Sequence, residues 1–333
     1  MDAIPLVRIR YADSFAEQLN RLGAPTERLL NQVNLSEEAL TFRDGFMPVS
    51  QLWRLTALAA RYTGIWEMGL RAGLTPLAEH SQFGHHLLFA PTLYQAMTMF
   101  CAMAPTELTN AKFRVERCDS LEWFRGGPVE GSEEEIRQVE LYRIGMIVQV
   151  IRWAAGDQWH PSQLQLQSPN AAHLQSLELF EGVPVRCGCP EPAVAMSPAL
   201  LSLPLGDPAE GGDTVEVAVA RSEWDFKRSI TEIVTTHVRG RQGTIRDVAR
   251  TLDMSVRTLQ RRLSEHGLVF SELVDQTRVG TAKGLLQESE LPIGAIAAEI
   301  GYSEPTHFSR AFKRITGNSP GEYRRRHRPE IVL

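Results

Sequence analysis

Between Thr244 and Tyr323 one short pattern occurs twice, and no other stretch restricts the fold of this chain as strongly. In the first copy Ile245, Val248, Ala249 and Leu252 recur at steps of three, one and three, which puts four apolar side chains on one face of a helix. In the second, Ile293, Ile296, Ala297 and Ile300 do the same 48 residues later. The connectors Asp253-Met254-Ser255 and Gly301-Tyr302-Ser303 follow, each ending in a serine able to cap the next helix. Thr258–Leu263 then aligns with His307–Phe312 at an offset of 49, so one residue is inserted in the second turn. Each copy reads as helix-turn-helix, with Leu259, Leu263, Phe308 and Phe312 on the core side.

The ends of these helices are marked as well. Thr244 and Asp247 have capping-box spacing, and Pro292 stands where the first turn of a helix tolerates proline. Between the copies, Phe270, Leu273, Val274, Thr277, Ala282, Leu285 and Leu286 form a helical stripe that predicts one connecting helix. Gly280 and Gly284 lie inside it, each at a cost of about 1 kcal/mol relative to alanine, which predicts a close helix contact there.

These residues resemble the DNA-binding domain of the AraC/XylS family of bacterial transcription regulators. The run Ile296-Ala297-Ala298-Glu299-Ile300-Gly301-Tyr302-Ser303-Glu304-Pro305-Thr306-His307-Phe308-Ser309-Arg310-Ala311-Phe312, continued by Thr316-Gly317-Asn318-Ser319-Pro320-Gly321-Glu322-Tyr323, carries the family signature almost entire. The resemblance implies two helix-turn-helix units on one connecting helix. Their second helices would enter adjacent major grooves of double-stranded DNA about 34 Å apart. It places base-reading side chains at Arg257, Gln260 and Arg261 in the first unit and at Thr306, His307 and Arg310 in the second. Pro305 replaces a polar base-reader found in relatives. Lys313, Arg314 and Arg324 are expected on phosphates, which set affinity rather than sequence.

Charge divides along the same line. Residues 221–333 hold 19 Lys+Arg against 14 Asp+Glu, a balance of +5, so the preceding 220 residues hold 16 against 26, a balance of −10. A basic C-terminal module on an acidic larger domain suits a chain in which one half meets phosphate. No run of eighteen apolar residues and no leader-like N-terminus occurs, so a cytoplasmic location is expected, with no membrane partner. Cys101, Cys118, Cys187 and Cys189 fit neither a disulfide framework nor a four-ligand zinc site. Free thiols are the expectation even for Cys187-Gly188-Cys189, and His80, His85 and His86 lack a carboxylate-histidine metal motif. No metal or cofactor is implied.

The first 205 residues predict an α+β domain joined to an all-α C-terminal domain with two helix-turn-helix units. Helices are expected through Ala12–Arg71 and after Pro91, a hairpin around Cys118-Asp119-Ser120, a long helix over Glu133–Ala155, a strand over Gln163–Gln167, a helix over Asn170–Phe180, and one or two strands within Val183–Met196. Residues 10–206 resemble the arabinose-binding-like effector domain of a large AraC subgroup through Pro48-Val49, Gly84-His85-His86, Pro91-Thr92-Leu93, Trp159-His160-Pro161 and Leu201-Ser202-Leu203-Pro204-Leu205. Residues 206–213, rich in Gly, Pro and acid, read as a linker, and 214–333 as the DNA-binding domain, opened by a helix over Val215–Val238.

A sequence-specific regulator, an activator under small-molecule control, is the function implied, with RNA polymerase as a partner and self-association through residues 1–205. An effector pocket is expected between Phe83 and Trp159, with Phe83, Trp123, Tyr142, Arg143 and Trp153 as its candidate residues. The domain's acidity favours a neutral, cationic or zwitterionic effector. Two rivals stand beside this reading. One is a DNA-binding protein whose N-terminal domain serves only self-association or protein contacts. The other is a methyl acceptor acting through Cys187 or Cys189, against which the missing zinc-cysteine arrangement and the lack of any enzyme motif weigh.

Overall fold

A computed structural model describes residues 3–76, 82–171, 173–205, 224–239 and 243–327, so His80 and the 206–213 linker lie outside the described residues. In chain order the elements are β1 (Leu6–Arg8), α1 (Arg10–Arg21), α2 (Thr26–Gln32), α3 (Glu37–Thr41), β2 (Phe46–Pro48), α4 (Val49–Thr63), α5 (Met68–Gly73), α6 (Gln82–Leu87) and α7 (Leu93–Glu107). Then come β3 (Arg114–Cys118), β4 (Leu121–Arg125), α8 (Glu133–Ala155), β5 (Gln163–Gln165), β6 (Val185–Arg186) and β7 (Ala193–Met196). The C-terminal helices are α9 (Phe226–Arg239), α10 (Ile245–Thr251), α11 (Val256–Glu265), α12 (Phe270–Glu288), α13 (Ile293–Glu299), α14 (Pro305–Thr316) and α15 (Pro320–His327).

The described residues form two compact units, one within residues 5–35 and 47–205, the other within residues 3–4, 36–46 and 224–327. The larger unit is α+β, as expected. Its five-stranded sheet has the order β3-β4-β7-β5-β6, antiparallel except between β5 and β6. Asp119, at φ +56, turns β3 into β4 and sets Cys118 opposite Leu121. The strand pairing that sequence order leaves open is fixed by β7, whose Val194 faces Phe124 on one side and Leu164 on the other. All four residues of β7 are buried, so it reads as a central strand.

Helix α8 begins and ends where expected, because Ser132 and Glu135 form a full capping box and Gly156 stops the helix at φ +83. Along it lies α5, at a separation only glycine permits. A Cβ on Gly69 would stand 2.0 Å from the Gln138 carbonyl oxygen, and one on Gly73 would stand 2.3 Å from that of Tyr142. Residues 170–180 correct the helix expected there. They form two 3₁₀ turns, Leu174–Ser176 and Glu178–Phe180, separated by Leu177 in an extended conformation.

The smaller unit is helical, and it recruits a segment from far upstream. Residues 36–46 pack on α9: the Phe46 amide donates to Thr236 Oγ1 (3.1 Å), whose hydroxyl donates back to the Phe46 carbonyl (2.9 Å). The Phe46 and Trp224 rings meet edge to face at 5.0 Å, and the Arg239 guanidinium lies over Phe42 at 4.2 Å. Of the helix expected over Val215–Val238, the described part starts at Phe226. His237 on α9 is buried, with Nδ1 beside the Ile233 carbonyl and Nε2 beside Thr251 Oγ1, both at 2.9 Å. Burial lowers its pKa. Folding therefore excludes a proton that the unfolded chain binds. This contribution to stability is constant above the ordinary pKa of 6.5, shrinks as pH falls below it, and levels off under the folded-state value. Urea melts of the full chain between pH 8 and 5.5 should lose stability on acidification, and His237→Gln should flatten that loss.

The connecting helix α12 corrects a second expectation. Among the described residues a Cβ on Gly280 or Gly284 would meet nothing within 4 Å, so neither glycine serves a close helix contact there. Neither has a positive φ. Alanine at each is therefore expected to stabilise the smaller unit by about 1 kcal/mol, seen as a higher melting temperature of the full chain.

Candidate functional site

The two helix-turn-helix units are built alike down to the hydrogen bonds of their turns. Helix α10 ends with the Asp253 amide donating to the Arg250 carbonyl (3.1 Å) and the Met254 amide to that of Ala249 (2.8 Å). Helix α13 ends with Gly301 to Ala298 (3.1 Å) and Tyr302 to Ala297 (2.9 Å), the same pair 48 residues on. Both are Schellman closures, which need a left-handed residue after the C-cap, and Asp253 (φ +52) and Gly301 (φ +82) supply it. The helices that follow start differently. Ser255 accepts from the Thr258 amide (3.1 Å), whereas Ser303 does not cap: Glu304 is the N-cap of α14, without a side-chain cap bond, and Pro305 opens the helix. The inserted residue moves the start by one, and proline lacks the N–H that a serine cap would have served.

Both second helices bury one stripe and expose the other. Leu259, Leu263, Phe308 and Phe312 are at most 2% exposed, while Arg257, Gln260, Arg261, Thr306, His307 and Arg310 are all exposed. Arg261 Nη1 is 2.9 Å from Glu265 Oε1, a surface pair of small energy, so the side chain can be drawn away at little cost. His307 stands 3.9 Å from Glu304.

The three residues expected on phosphates are not equivalent. Lys313 is exposed. Arg314 instead reaches Asp275 on α12 at 2.5 Å, and the same carboxylate accepts from the Tyr302 hydroxyl at 2.8 Å. Arg324 is half-buried and donates to the Leu291 carbonyl at 2.6 Å. Arg314 and Arg324 thus tie the second unit to the connecting helix and to the loop after it.

The larger unit holds a cavity of about 60 Å³ that opens to solvent. Tyr11 and Phe15 from α1, Trp53 and Thr56 from α4, Phe83 from α6, Phe100 and Glu107 from α7, Phe113, and Tyr142, Arg143 and Met146 from α8 face it. Its aromatic wall is continuous, with Phe100 edge to face against Phe83 (5.0 Å), Phe113 (5.1 Å) and Phe124 (5.3 Å). Phe83, Tyr142 and Arg143 are among the residues named from sequence. Trp123 and Trp153 are not in the lining. Trp123 is in β4, 5% exposed, packed against Ala193, Ala195 and Leu121. Charge enters the cavity at two places. Glu107 has Arg8 at 3.9 Å and Arg10 at 3.8 Å, and it and burial together raise the Tyr11 hydroxyl pKa. Arg143 donates to the carbonyls of Gly126 and Gly127, both at 2.9 Å, and burial lowers its guanidinium to about 10.

The cysteines are free. Burial raises the Cys187 thiol and pushes Cys101 up to about 11, so neither has the lowered pKa of an activated nucleophile. Among the described residues no cluster of three or more His, Cys, Asp or Glu could hold a metal, and no helix is long and apolar enough to cross a membrane.

Two like-built helix-turn-helix units on one connecting helix define a DNA-binding regulator. Comparison with known proteins gives the family. Residues 23–205 match the arabinose-binding domain of AraC transcription regulators, and residues 248–326 match a helix-turn-helix domain. The ornithine utilization regulator of Pseudomonas aeruginosa is 22% identical over 96% of both chains. An HTH-type regulator of Mycobacterium tuberculosis is 37% identical over 121 residues, a match spanning 34% of this chain and 35% of that protein. The crystal structure of the transcriptional regulator CdpR from Pseudomonas aeruginosa, 19% identical, aligns over 90% of this chain and 96% of its own with a TM-score of 0.40. The chain belongs to the AraC family of transcription regulators.

Proposed function

We propose that this regulator is an activator, and that a small molecule held in the cavity of its larger unit sets its activity. The observation carrying this reading is the cavity itself: it lies within the segment that matches the family's N-terminal domain, and a core with no binding role would be filled. Residues 1–205 serve sensing and self-association, 206–213 link, and 214–333 bind DNA. Arg257, Gln260 and Arg261 read one major groove, and Thr306, His307 and Arg310 the next. Lys313 binds phosphate, while Arg314 and Arg324 can do so only if they leave Asp275 and the Leu291 carbonyl. RNA polymerase is the partner through which bound protein activates.

The test begins with the full chain and a pool of random duplexes. Selection should enrich one site with two major-groove elements a helical turn apart, and a reporter behind that site should be switched on. Ala104→Phe, which fills the cavity, should remove the reporter's response to growth conditions while leaving the gel shift intact. A reporter that is repressed excludes activation, and a response untouched by filling the cavity excludes effector control.

A further inference from the structure

The cavity contains two charged side chains, and only one of them has its counter-charge beside it. Glu107 faces two arginines at ion-pair distance. Among the described residues Arg143 is paired with no carboxylate: its Nη1 is held by two backbone carbonyls, and its guanidinium lies 5.5 Å from the Phe113 ring centre. Glu140, one turn earlier on α8, favours the Arg143 charge, but its Oε2 accepts from the Gln167 (2.8 Å) and Ser168 (3.2 Å) amides. Arg143 is half-buried and is one of the residues lining the cavity. The rest of the lining is mainly apolar, with Phe83, Phe100, Phe113 and Met146 in it and Tyr11, Thr56 and Glu107 as polar members.

Resting on the reading that this cavity holds the effector, we propose that the ligand is an apolar monocarboxylate, an aryl or short alkyl acid, with its carboxylate on Arg143 and its body against Phe100 and Phe113. A fixed guanidinium in an apolar enclosure rewards a carboxylate strongly, because the pair forms where water competes little. A sugar would leave most of its hydroxyls against a mainly apolar wall, and an ammonium ligand would bring a like charge to Arg143. The unit's net acidity favours cations only as a diffuse, salt-screened field, whereas Arg143 acts at contact distance.

The test uses the full chain with benzoate, phenylacetate and octanoate, and their three primary amides as uncharged partners of equal shape. Thermal unfolding and tryptophan fluorescence, to which Trp53 in the cavity wall contributes, report binding. At least one acid should raise the melting temperature and change the fluorescence, and its amide should bind at least about tenfold more weakly. Arg143→Met should abolish that preference while Arg143→Lys retains part of it. Should the methionine variant fail to fold, the acid–amide comparison on the native chain still decides. Amides that bind as tightly as acids would overturn the carboxylate assignment and leave the effector cavity standing. If no acid and no amide binds, the effector reading falls with it.

Discussion

Alanine in place of Gly73 should destabilise the larger unit by about 3 kcal/mol, the upper end of what overpacking usually costs. The added carbon would lie 2.3 Å from the Tyr142 carbonyl oxygen and 3.0 Å from its carbonyl carbon and Cα. All three are backbone atoms of α8, so no rotamer change relieves the clash, and the helices must separate. Gly145 makes the fit mutual, since its own Cβ would come within 3.0 Å of Gly73 and of the Leu70 carbonyl. Tyr142 and Arg143 lie on the turn that would be pushed, so any ligand of the cavity should also bind more weakly. Thermal unfolding of Gly73→Ala beside Gly280→Ala is the informative pair, since the same substitution is expected to act in opposite directions. Equal melting temperatures for Gly73→Ala and wild type would mean that the two helices do not approach as closely as their backbones indicate.

That contrast marks what the sequence can and cannot supply. A glycine inside a helix pattern announces a cost of about 1 kcal/mol, but not whether a neighbour compensates it. Gly280 and Gly284 invited a close contact and have open space, while Gly69, Gly73 and Gly145 sit in the tightest helix pair and gave no signal. Local signals fared better where cap and periodicity agreed, as at α8 and in the first helix-turn-helix unit. Residues 170–180 failed because Leu174, Leu177 and Phe180 repeat every three residues, a period that 3₁₀ turns satisfy as well as a helix does. The cavity was legible only in part. Its lining runs from Val7 to Met146, and no local pattern links Tyr11, Trp53, Phe113 and Tyr142. Phe83, Tyr142 and Arg143 are the lining residues that the sequence named.

The symmetry of the two turns leads to the expectation for DNA. Arg261→Ala and Arg310→Ala should each cost about 1 to 3 kcal/mol in binding the selected site, and each should relax discrimination at one or two base pairs. The two side chains occupy equivalent positions of α11 and α14, both exposed, each two residues after a buried residue that seats its helix, Leu259 or Phe308. Because they would read different grooves, the double variant should lose nearly the sum of the two penalties. Lys313→Ala should behave otherwise, weakening all duplexes alike and lowering the slope of log affinity against log salt by about one. Pro305 opens α14 with a side chain that has no donor or acceptor for a base edge, so the second unit has fewer ways to contact bases than the first. The larger of the two single losses is therefore expected at Arg261. Footprints of the two variants that cover the native site with native affinity would remove both arginines from base recognition. A loss at Arg310 exceeding that at Arg261 would make the second unit the main reader.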